Sequence, residues 1–138
     1  MMGVLSGRNR EWAAQAPVLI LAAARVRLTR NGEPNAFAHY DLGHAVGNMT
    51  VQAVAQGLQL HQMGGFDRDA AREAFHVPPD HQPVAVIALG YPAEEQPPRP
   101  RLPLASFVFE GEWGKHAPFL EKDSNNTHYS ITKRRSHP

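Results

Sequence analysis

The stretch Asp41–Phe75, DLGHAVGNMTVQAVAQGLQLHQMGGFDRDAAREAF, carries most of the information about the fold of this chain. Behind Asp41, whose short carboxylate suits an N-cap, Leu42, Ala45, Val46, Met49, Ala53 and Val54 recur at helical spacing. Gly57 stands where such a helix should end, so the pattern predicts one long helix from Asp41 to Gly57. Gly43, Gly47 and Ala53 leave parts of its surface flat, which allows a second helix to come close. A turn is expected at Gln62-Met63-Gly64-Gly65. Asp67 then caps a second helix running to about Phe75, with Pro78 and Pro79 marking its end.

Upstream, Asn9 to Ala16 reads as a short helix capped by Asn9, and Pro17 stops it before the apolar strand Val18 to Leu21. Thr29 to Ala38, with Asn31, Gly32 and Pro34, has loop chemistry and leads to the aromatic residues Phe37 and Tyr40. Downstream, Pro83 to Leu89 reads as a second buried strand ending at Gly90-Tyr91. Pro92 to Pro103 holds five prolines and two arginines and predicts an extended surface connection. Leu104 to Phe109 is a candidate third strand. From Glu110 the chain turns polar, and much of Asp123 to Pro138 is expected to be disordered. Two or three strands between helices imply an α+β domain over 1–109, followed by a polar tail over 110–138. So thin a sheet needs cover for its edges and faces, which a partner could supply.

A chain of 138 residues, 42% of them hydrophobic, fits one globular core. The 14 basic and 13 acidic residues leave a formal charge of +1, which is not the balance of a nucleic-acid binder. Lys133-Arg134-Arg135 is read as a solubilising tail. No cysteine is present, which excludes disulfides, thiolate metal sites and cysteine nucleophiles and accords with a reducing, cytoplasmic setting. The apolar run Pro17 to Ala24 is shorter than the ~20 residues that span a bilayer, so no membrane partner is expected. His39 and His44 do not have zinc-ligand spacing, and no metal site is expected.

Four segments in order resemble the nitroreductase family. They are WAAQAPVLI (Trp12–Ile20), DLGHAVGNMTVQAVAQGL (Asp41–Leu58), QMGGFDRDAAREAF (Gln62–Phe75), and PVAVIALGYP with PRPRLPL (Pro83–Leu104). The resemblance implies an α+β fold built as an intertwined homodimer, with the long helix in the dimer core and FMN bound at the interface. It also implies hydride transfer from NADH or NADPH through the flavin to a small acceptor, nitroaromatic or quinone-like.

On the same resemblance, Met63, Gly64 and Gly65 form the turn whose backbone meets the flavin ring near N5, the Gly64 N–H being the best candidate donor. Glycines without Cβ atoms permit such an approach; the plainer alternative is a turn that needs positive φ. Arg99 and Arg101 match positions that hold the FMN phosphate, a task suited to guanidinium groups because they stay charged and donate in pairs. Read locally, they are arginines in a solvated proline-rich loop. Asp41 and Asp67 are read as helix caps, and no protein side chain is assigned a catalytic role, because the cofactor carries the redox step.

Family members open with an R-R-S-x-R segment and a P-S-x-x-N stretch that reach the flavin and its phosphate. Neither precedes Asn9-Arg10-Glu11-Trp12, so about half the flavin ligands are expected to lack a counterpart. Each charge-assisted hydrogen bond so lost is worth roughly 1.5–3 kcal/mol. The alternative to an FMN enzyme is therefore a truncated, non-catalytic relative that serves as a dimerising module.

Overall fold

A computed structural model of the chain describes residues 1–93 and 100–118, which belong to two compact units, Met1–Glu95 and Gln96–Pro138. The first unit is α+β. Its three strands, β1 (Val18–Arg25), β2 (Gln59–Met63) and β3 (His81–Gly90), form one antiparallel sheet in the order β1-β3-β2. Its helices are α1 (Gly7–Ala13), α2 (Ala38–Ala55) and α3 (Arg68–Ala74), and a 3-10 turn at Met2–Val4 precedes them.

Strand β3 is central because both neighbours pair with it; Ile87, for example, stands opposite Ile20 on one side and Gln62 on the other. Side chains alternate between faces along a strand, so Val86 and Ala88 point one way and Ile87 the other. Val86 and Ala88 join Val4, Leu5, Ala13, Met63, Phe66 and Ala71 in a buried cluster beneath the N-terminal segment, α1 and α3. Leu5 is wholly buried there, and sequestering a side chain of that size stabilises by about 1.5–3 kcal/mol. On the other face α2 packs against β1 and β2, burying Ala38 and Ala53. Pro83 is fully buried within the central strand although it cannot donate to the ladder; the register slips between Ala22 and Ala23 directly opposite it.

Several boundaries differ from those expected. Helix α1 starts at Gly7 behind Ser6, so Asn9 lies inside the helix and its side chain is free for another partner. Helix α2 starts at Ala38 behind Phe37, which puts Asp41 in the first turn, where its charge complements the helix dipole, and not at the cap. Asn35 shifts the start: its Oδ1 accepts the Phe37 N–H at 3.1 Å, organising the turn that leads into the helix. The C-terminal end falls at the expected glycine. Gly57, at φ +76°, lets its own N–H reach Val54 O and the Leu58 N–H reach Ala53 O, which closes the helix with two reverse hydrogen bonds.

Asp67 caps α3 as expected, its Oδ1 accepting the N–H groups of Asp69 and Ala70. Strand β2 was not anticipated, because Gln59-Leu60-His61-Gln62-Met63 has only two apolar positions, Leu60 and Met63, and they do not alternate. In the second unit the expected strand Leu104–Phe109 is instead a 3-10 turn at Leu104–Ser106 followed by a tight hairpin in which Phe109 bridges His116. Pro103 fixes the backbone in front of that turn, and no neighbouring strand stands beside it among the described residues. The disorder expected for Asp123 to Pro138 concerns residues outside those described.

Candidate functional site

Strand β2 delivers the chain into the turn Met63-Gly64-Gly65, whose three residues are placed quite differently. Met63 is the last residue of the strand; its side chain is buried in the core at 2% exposure, so it anchors the turn from below. Gly64 and Gly65 are exposed, and neither adopts a positive φ. The explanation of this glycine pair by turn conformation therefore fails. A Cβ on Gly64 would meet nothing within 4 Å, whereas a Cβ on Gly65 would stand 2.8 Å from Asn9 Nδ2 and 3.4 Å from Ser6 Oγ. Gly65 is small because the protein packs against it; Gly64 has open space above it.

The hydrogen bonds of the turn follow the same division. Gly65 O accepts both the Ser6 N–H, at 3.3 Å, and Asn9 Nδ2, at 3.2 Å. Phe66 pairs with Leu5, and the Asp67 N–H donates to Val4 O at 2.8 Å. Residues 65–67 are thus strapped to the N-terminal segment, itself held by Arg10, whose guanidinium donates to Leu5 O and Gly3 O. By contrast, the N–H groups of Gly64 and Gly65 donate no hydrogen bond among the described residues. Two adjacent amides, exposed and unused, can serve a flat ligand that brings an acceptor atom to its edge.

Of the remaining candidates, Arg101 lies in the second unit, exposed, with no side-chain hydrogen bond or ion pair among the described residues, and Arg99 lies outside them. Asp67 is committed to its cap. His39 and His44 are exposed on α2, and among the described residues no group of three or more His, Asp or Glu could hold a metal. No helix among them is long and apolar enough to cross a membrane. Among the described residues the one clearly perturbed acid is Asp80, just ahead of β3. A hydrogen bond from His81 at 2.8 Å, reinforced by the charges of His81 and Arg25, holds its carboxyl below the usual carboxylate range.

The outer face of α2 is a second feature. Tyr40, Val51 and Val54 are more than half exposed, and Gly43 and Gly47 have open space where a Cβ would stand. Tyr40, Gly47 and Val54 follow at intervals of seven and so line one side of the helix. Ala53, expected to help flatten this surface, instead faces the sheet.

Two residues of the site, Ser6 and Asn9, were not legible beforehand. Asn9 contacts a residue 56 positions away, and its helical, polar surroundings invite a reading as a cap.

Comparison with known proteins places this arrangement among relatives. The pattern of the Nitroreductase family matches residues 4–91. An uncharacterized 15.4 kDa protein of Mycolicibacterium smegmatis is 36% identical over 121 residues, 78% of each chain. Among solved structures, an oxidoreductase containing FMN superposes with a TM-score of 0.75 at 28% identity, over 83% of this chain and 64% of its own. NfrA2 of B. megaterium superposes with a TM-score of 0.67 at 22% identity, over 84% and 54%. The chain thus spans somewhat under two thirds of the first of these structures and about half of the second.

Proposed function

The chain belongs to the nitroreductase family, and on that premise we propose that it is an FMN-dependent oxidoreductase acting as a homodimer. The observation that carries this reading is Gly64: an exposed residue whose amide has no partner among the described residues and whose missing side chain has no atom within 4 Å, on a turn anchored at both ends. The likeness to an oxidoreductase that contains FMN supports the choice of cofactor. When bound, FMN supplies the redox chemistry, taking two electrons as a hydride from NADH or NADPH and passing them to a small nitroaromatic or quinone-like acceptor.

The work of the protein is then to bind and orient. The Gly64 N–H would face the N5 edge of the ring, the absence of a Cβ at Gly64 would leave that approach open, Gly65 packs on Asn9 to tie the turn to the N-terminal segment, and Met63 holds the turn on the core. Arg99 and Arg101 bind the phosphate by charge-assisted, paired hydrogen bonds. The exposed apolar face of α2, flattened at Gly43 and Gly47, seats the second copy. A cytoplasmic location accords with the absence of cysteine.

The purified chain, mixed with FMN and freed of excess, should be yellow, with the absorption bands of oxidised flavin, and should oxidise NADH or NADPH when a quinone is added. A colourless product with no flavin-dependent oxidation would refute the enzyme reading and leave the non-catalytic, dimerising relative.

A further inference from the structure

We infer that Asn9 is a positioning residue for the Gly64 amide, acting through the carbonyl of Gly65; this rests on the FMN reading above. The turn has two anchors. On one side Met63 is fixed by its ladder partner Val86 and by a buried side chain. On the other, Gly65 O is held by Ser6 N–H and Asn9 Nδ2. Between them lie two glycines, the residues with the widest backbone freedom, and their N–H groups find no partner within the described residues.

The direction of the Gly64 N–H is therefore set by what happens at the two ends. Loosening the Gly65 end, where the Ser6 N–H would be left as the carbonyl's one partner, widens the φ/ψ range of the pair, and a donor whose direction is spread loses part of its value to a fixed acceptor. Ser6 contributes through its backbone, so it cannot be tuned by its side chain; Asn9 contributes through a carboxamide whose only hydrogen bond among the described residues is this one. Asn9 also fills the volume that a Gly65 Cβ would need, at 2.8 Å. The contact is thus matched from both sides.

Two variants of the full chain test this, Asn9→Ala and Gly65→Ala, the second pushing the carboxamide off the carbonyl with a new methyl group. We expect FMN affinity, followed by quenching of flavin fluorescence, to fall about tenfold in each, the loss expected for one hydrogen bond. The midpoint potential of the bound flavin should also shift, and in Asn9→Ala the Gly64 and Gly65 amide resonances of the flavin-free protein should move. The thermal midpoint should change by a few degrees at most. Variants that bind FMN with wild-type affinity and potential would overturn the inference, as would a loss of stability with both unchanged. Should the wild-type chain bind no FMN, the functional reading falls, and the amide resonances decide the matter: if those of Gly64 and Gly65 stay in place in Asn9→Ala, Asn9 does not position the turn.

Discussion

Gly90 and Gly64 lack side chains for opposite reasons. A Cβ at Gly90 would stand 2.7 Å from Cδ and 2.8 Å from Cγ of Pro17, and a proline ring cannot swing aside. Gly90→Ala should therefore destabilise the fold by about 1–3 kcal/mol in urea unfolding, the usual range for an overpacked site. Gly64→Ala should leave the unfolding midpoint unchanged, because nothing lies in the way, yet weaken FMN binding by bringing a methyl group to the ring. Asp80 gives a pH dependence with a definite sign. Its carboxyl is held below its ordinary value by the His81 hydrogen bond and the charges of His81 and Arg25, so its contribution is present above the ordinary carboxylate range and is lost as the pH falls through the lowered value. The difference in stability between wild type and Asp80→Asn, followed by thermal unfolding, should shrink as the pH is taken below 4; a difference that grew toward acid would contradict the assignment.

At the level of elements, Asp41 and Asp67 look alike in sequence, each standing ahead of an apolar helical pattern, but only Asp67 is a cap. Its Oδ1 takes two amides of α3, and Asp67→Ala should cost about 1 kcal/mol, read from the shift in the urea midpoint at constant slope. Asp41→Ala should cost less, since it removes only a favourable charge from the first turn of α2. Helix α2 was legible as a helix because its apolar spacing is long and regular, and Gly57 marked its end. Its start was not, because Asn35 organises the preceding turn from outside the periodic segment. Strand β2 was invisible because its pairing with β3, and not its own alternation, makes it a strand.

For the molecule as a whole, the question is what covers the outer face of α2. Val51 is 71% exposed and Val54 61% exposed, on a helix whose buried contribution is Ala38 and Ala53. Replacing Val51 and Val54 together by glutamate should leave the fold intact and shift the mass in analytical ultracentrifugation from dimer toward monomer; a dimer of unchanged strength would place the seam elsewhere. Replacing Arg99 and Arg101 together by alanine should weaken FMN binding sharply, and unchanged affinity would mean that the phosphate sits on other residues.

What could be read along the chain was local in origin: the strands around Val18 and Val86, the helix behind Asp41, the cap at Asp67, the glycine after α2, and the glycine pair itself, all set by spacing and by backbone chemistry within a few residues. What folding added was the use of that pair. Whether Gly64 and Gly65 serve a turn, a neighbour or a ligand depends on what stands against them. Asn9 and Ser6 reach them from more than fifty positions away in sequence, because the packing of the N-terminal segment beside the α3 cap brings the two together.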